Sequence, residues 1–147
     1  MKIAGKANVP ASRERVWELL NSPEALSQSL PGCQKFEPES DTSFQVGLRI
    51  GLGPVRAECS GVVRIGNQQP PETLTLTVKS SGTWGFAEGS GNLTLSESNG
   101  QTQVSYVGDV SVGGVLAGVG QRMLEGAAKT MIAQFFANIK KVALSGE

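Results

Sequence analysis

The chain has 147 residues, 39% of them hydrophobic, which is ample for one core without metal or disulfide staples. Lys plus Arg equals Asp plus Glu at 13 each, so the formal net charge is zero and no excess of cations points to nucleic acid. Histidine is absent. That excludes Ser-His-Asp and Cys-His catalysis and removes the commonest general acid or base near neutral pH.

The period-two alternation of Ile3, Gly5, Ala7 and Val9 predicts a strand over Lys2 to Val9, stopped by Pro10. Ser12 caps a helix whose apolar face is Val16, Trp17, Leu19 and Leu20. Ser22 and Pro23 start a second short helix carrying Ala25, Leu26, Ser29 and Leu30, which Pro31-Gly32 closes.

From Cys33 the period is two. Gln34 to Pro38 forms a short strand. Phe44, Val46, Leu48 and Ile50 share one face of the next, and Gly51 to Pro54 makes a turn. Val55 to Ile65 alternates around Cys59 and Val63, and Asn67 to Pro71 reads as a second turn. Leu74, Leu76 and Val78 alternate with threonines. A strand from Trp84 to Ser98 follows, with Leu93 and Leu95 inward. Asn99-Gly100 is the strongest hairpin signal, and Val104, Tyr106, Gly108, Val110 and Val112 line one face of the last strand.

Gly113-Gly114 leads into a helix predicted over Val115 to Leu144. Leu124, Ala128, Met131, Ile132, Phe135, Ile139 and Val142 form its apolar stripe. Its first half is interrupted by Gly118, Gly120 and Gly126, with Leu116, Val119 and Met123 on a rotated face. The expected fold is α+β: a curved seven-stranded antiparallel sheet gripping one long C-terminal helix, with two short helices, in a single domain over residues 1–147.

Cys33 and Cys59 without histidine cannot build the usual structural zinc site, and no metal or cofactor is expected. Cys59 reads as a small hydrophobe in its strand. Asp109, Glu58 and Glu88 read as surface residues, and no carboxylate pair stands out as an acid–base couple. The glycines from Gly113 to Gly120 lack the Lys-Ser/Thr that a phosphate loop needs. With neither an export signal nor an apolar run of membrane-spanning length, the expected compartment is the cytoplasm.

Several stretches resemble one known family. They are Leu30-Pro31-Gly32-Cys33, Gly53-Pro54-Val55, Gly89-Ser90-Gly91 before a Leu-Thr-Leu strand, the run from Tyr106 to Leu124, and Phe135-Phe136. The chain is similar to the carbon monoxide dehydrogenase G-subunit family, within the helix-grip (Bet v 1/START-like) superfamily. The resemblance implies a non-catalytic accessory protein that binds a lipid- or quinone-like molecule in support of a molybdenum-containing CO dehydrogenase or related hydroxylase. It also implies peripheral membrane contact through a partner.

On that basis the cavity wall is expected from Leu48, Ile50, Leu76, Trp84, Phe86 and Tyr106. Leu116, Val119, Gly120 and Met123 are expected at its mouth, where the glycines leave room. The Tyr106 hydroxyl is the candidate donor to a ligand carbonyl. The alternatives are an interaction adaptor whose interior is filled by its own side chains, and a cyclase or hydrolase on the same fold.

Overall fold

The computed structural model describes residues 1–52 and 55–145, and their side chains except those of Ile50, Leu52, Val55 and Ala57. The element order is β1 (Lys2–Val9), α1 (Arg13–Leu20), α2 (Pro23–Ser29), β2 (Cys33–Pro38), β3 (Ser43–Leu52), β4 (Val55–Gln69), β5 (Thr73–Gly82), β6 (Gly85–Ser98), β7 (Gln101–Gly113) and α3 (Gln121–Leu144). The seven strands form one antiparallel sheet in the order β1-β7-β6-β5-β4-β3-β2. Successive strands are neighbours throughout, except that β1 closes onto β7 at the far edge. This is the expected helix-grip arrangement.

Local chemistry sets the element ends. The Ser12 and Ser22 hydroxyls accept from the Arg15 and Ala25 N–H groups at 3.2 Å, so both short helices carry side-chain caps. Asn99 and Gly100 both have positive φ, 54° and 76°, as a two-residue hairpin of this handedness requires.

Inward parity on the strands collects the core. Phe44, Leu74, Leu95, Val104 and Val9 are buried together with Val16, Leu20 and Leu26 of the short helices and Phe135, Phe136 and Ile139 of α3. A second cluster at the other end of the sheet holds Val46, Leu48, Cys59, Val63, Trp84, Leu116 and Leu124. Thr102, the buried polar residue of β7, donates to the Ala11 carbonyl at 2.7 Å.

Four expectations need correction. The long helix begins at Gln121, not Val115. Gly114–Val119 is a 3-10 segment, and Gly120, at φ 104°, separates it from α3. Gly114 (φ 73°) and Gly120 both occupy backbone regions closed to an α-helix, which is why the poor-propensity run could not join the regular one. The Asn67 to Pro71 turn is also shorter than expected. β4 continues to Gln69 through an irregularity between Gly66 and Gln69, with Asn67 at φ 48°. Trp84 lies in the turn before β6, not at the start of the strand. Of the expected Gly51 to Pro54 turn, Gly51 and Leu52 instead end β3, paired with Arg56 and Val55, and Gly53-Pro54 lies outside the described residues.

Candidate functional site

Between the concave face of the sheet and α3 lies a cavity of about 320 Å³. Its length can be read from two elements. Along β6 the lining runs from Ala87 to Leu93, about 20 Å at strand rise. Along α3 it runs from Leu124 to Phe136, about 18 Å at helix rise. Both spans have the same ends. At one, Trp84, Leu116 and Leu124 belong to a single packed cluster. At the other, Tyr106 stacks on Phe136 with ring centroids 5.7 Å apart, and Phe136 meets Phe135 edge-on at 5.2 Å.

The wall is almost wholly apolar. Met1, Ile3, Val78, Val110, Val112, Ala127, Ala128, Met131 and Ile132 join the residues at the two ends, and Leu26, Leu30 and Pro31 approach from α2 and its exit. The inward polar groups are few. Ser80 is buried and donates from its hydroxyl to the Ala87 carbonyl at 3.2 Å. Trp84 donates its Nε1–H to the Glu58 carbonyl at 3.3 Å. Tyr106 lies across β1, its cross-strand partner being Gly5, where a Cβ would fall on the phenol oxygen. Glu88 and Ser90 border the cavity too, but both have outward parity on β6 and are exposed.

Of the residues expected at this site, the structure brings Leu48, Leu76, Trp84, Tyr106 and Leu116 to the cavity wall. Val119 packs against the Trp84–Leu116 cluster without lining the cavity. The Ile50 side chain lies outside the described residues. Three expectations are corrected. Phe86 is on the outer face of the sheet, 42% exposed. Counting back from Leu93 by twos puts Gly91, Gly89 and Ala87 inward and Phe86 outward. Gly120 has open space where a Cβ would be, and it is exposed at the start of α3. Met123 is 46% exposed, because the true start of α3 turns it to solvent. Sequence reasoning also missed the floor of the cavity, Gly89, Gly91 and Gly108, although all three have inward parity. It placed Ala128, Met131, Ile132 and Phe135 on the apolar stripe of the helix without naming them among the site residues, and they face this space.

The chemistry available is that of apolar binding. Neither cysteine is disulfide-bonded, and burial pushes both thiols above their ordinary range. Among the described residues no three of the Cys, Asp and Glu side chains come together as metal ligands. No described helix is long and apolar enough to cross a membrane.

The sequence profile of the carbon monoxide dehydrogenase G-subunit (CoxG) family matches residues 5–144. The chain belongs to this family. A conserved protein from Geobacillus kaustophilus superposes with a TM-score of 0.93 at 30% identity, over 99% of this chain and 96% of that one. A START superfamily protein from Mycobacterium smegmatis superposes at 0.72 with 10% identity, over 99% of each chain. The Zhui aromatase/cyclase from Streptomyces sp. R1128 does so at 0.70 with 14% identity, over 97% of this chain and 93% of that one. At these identities the last two define the fold as START/Bet v 1-like and no more. Comparison with curated protein sequences finds no match. The family and the fold suggest a hydrophobic-ligand-binding accessory role.

Proposed function

We propose that this CoxG-family protein reversibly holds a lipid- or quinone-like molecule between its sheet and α3, without catalysis, as accessory to a molybdenum-containing CO dehydrogenase or related hydroxylase. The observation that carries the reading is the 320 Å³ apolar cavity, a volume within the roughly 300–1,000 Å³ range of small-molecule pockets. Burial of apolar ligand surface supplies affinity at about 25 cal/mol per Å². Tyr106 supplies a hydroxyl that orients one ligand acceptor. Leu48, Leu76, Trp84 and Leu116 contribute to the apolar wall of the cavity. Membrane contact, on this reading, is peripheral and made through the partner enzyme.

Two other readings fare less well. An adaptor would fill its interior with its own side chains, and this interior has a large void. A cyclase or hydrolase would need acids or bases aimed at the substrate. Among the described residues the titratable side chains bordering this cavity are the Tyr106 phenol and the exposed, outward-parity Glu88, and the chain has no histidine.

The test is native mass spectrometry of the purified protein for a co-purifying lipid or quinone, followed by titration with phenylnaphthylamine, a neutral apolar fluorophore. Tyr106→Phe is expected to alter the preference between carbonyl-bearing and plain hydrocarbon ligands more than the affinity for either. Absence of any bound apolar molecule, together with no binding of the dye below about millimolar, would sink the reading in favour of the adaptor.

A further inference from the structure

The inward faces of the strands carry glycines of two different kinds. At Gly61, Gly108 and Gly5 a Cβ would collide with the Lys79 carbonyl, the Ser90 carbonyl and the Tyr106 hydroxyl respectively. Close approach of neighbouring strands, or of one ring, accounts for these three. Gly89 and Gly91 have no such reason. A Cβ at Gly89 would meet Val110 Cγ2 at 3.5 Å, and one at Gly91 would meet the Val107 carbonyl at 3.7 Å, both ordinary van der Waals contact. Neither has a positive φ. The fold would therefore accept alanine at both positions, and glycine in a strand interior carries a conformational penalty and gives nothing to pack.

Their place in the cavity explains them. Gly89 and Gly91 lie midway along the β6 span, between Ala87 and Leu93. Between Leu124 and Phe135 the helix contributes the small side chains of Ala127 and Ala128 and the larger ones of Met131 and Ile132. Large side chains thus stand at both ends of the β6 span, and between them bare peptide planes form the floor of the cavity. A threading alkyl chain needs no such bare floor. A flat ring system does, and it can lie on peptide planes that a single methyl would cover.

We propose that Gly89 and Gly91 determine specificity in this cavity, selecting a ligand that carries a planar ring system over one that is only a linear chain. The proposal rests on the ligand-binding reading above and names the class of ligand within it.

The test compares phenylnaphthylamine, a ring probe, with cis-parinaric acid, a linear one, on wild type, Gly89→Ala, Gly91→Ala and the double variant. Gly126→Ala, on the exposed face of α3 with nothing near its would-be Cβ, is the control. The double variant is expected to melt no lower than wild type, because removing glycine reduces the freedom of the unfolded chain. Its Kd for the ring probe is expected to rise about tenfold or more, as overpacking of a fitted site does. Its Kd for the linear probe should stay within about threefold, and Gly126→Ala should change neither. Equal losses for both probes, or no loss for the ring probe, overturns the assignment while leaving ligand binding intact. A clear fall in melting temperature also overturns it, since these glycines would then serve the fold. If wild type takes up neither probe, the ligand-binding reading falls, and this one with it.

Discussion

Truncating a phenylalanine that borders the cavity should cost less stability than truncating one packed on all sides. Phe44 is fully buried, stacks on Phe36 with centroids 5.0 Å apart, and does not line the cavity. Phe135 is 8% exposed, touches Phe136 edge-on, and presents part of its ring to the cavity. Phe→Ala in a core costs about 3–5 kcal/mol, made up of lost transfer energy and of the cavity left behind. An aromatic pair adds about 0.5–1.5 kcal/mol.

Phe44 should therefore sit at the top of that range, near 5 kcal/mol, since every face of its ring loses partner atoms. A ring edge that already faces empty space has no dispersion partner to lose there. Phe135→Ala should thus fall near 3 kcal/mol, at the bottom of the range. With a urea m-value of about 2 kcal/mol/M for a domain of this size, the two midpoints should differ by about 1 M. Urea denaturation followed by tryptophan fluorescence measures both, and equal m-values license the comparison. Equal midpoints for the two variants would mean that Phe135 is packed as fully as Phe44, and the void would not lie where we place it. A saturating apolar ligand gives a second reading. It should raise the wild-type midpoint and recover less in Phe135→Ala, where the ligand has lost part of its wall.

Two further outcomes follow from the same geometry. Gly120→Leu adds no side chain to the cavity but forces a non-glycine residue to φ 104°. It should lower stability by about 1–3 kcal/mol with dye affinity unchanged, and a loss of affinity at unchanged melting temperature would put Gly120 back at the site. Burial raises both cysteine pKa values above 9.0 in the folded chain, so their contribution to stability is fully present below the unfolded-state pKa and is lost as pH rises through the folded one. The melting temperature should decline above about pH 9, a decline that Cys33→Ser/Cys59→Ala should lessen; an unchanged alkaline limb in that variant would assign the decline to other groups.

The sheet was legible in the sequence because its two faces differ. Phe44-Val46-Leu48, Leu74-Leu76-Val78 and Val104-Tyr106 each alternate with polar residues, and a period of two leaves one register in which the apolar set is buried. The caps at Ser12 and Ser22 and the Asn99-Gly100 hairpin were legible for the same kind of reason, a side chain or a φ that only a few residue types supply. The start of α3 was not. Val115, Leu116, Val119 and Met123 have a helical spacing, and spacing carries no information on whether Gly114 and Gly120 adopt positive φ. That choice depends on Gly114 packing against Gly85 and on the Leu116 N–H donating to the Trp84 carbonyl at 2.9 Å, contacts separated by some thirty residues.

The same misplacement moved the candidate site. Flexibility-conferring glycines near Gly120 looked like the place where room would be left for a ligand, whereas the cavity is lined by glycines of a strand paired on both sides. The discriminating signal was parity. Leu93 and Leu95 were already inward, so Gly91 and Gly89 had to be inward too, and a strand whose buried face runs Gly89, Gly91, Leu93, Leu95 has a bare stretch next to a packed one. Read the same way, Phe86 had to point outward whatever its hydrophobicity, and its 42% exposure is what parity requires. In a sheet that grips a helix, the empty volume lies where inward parity meets a missing side chain, and on this chain that lies over the middle of β6, at Gly89 and Gly91.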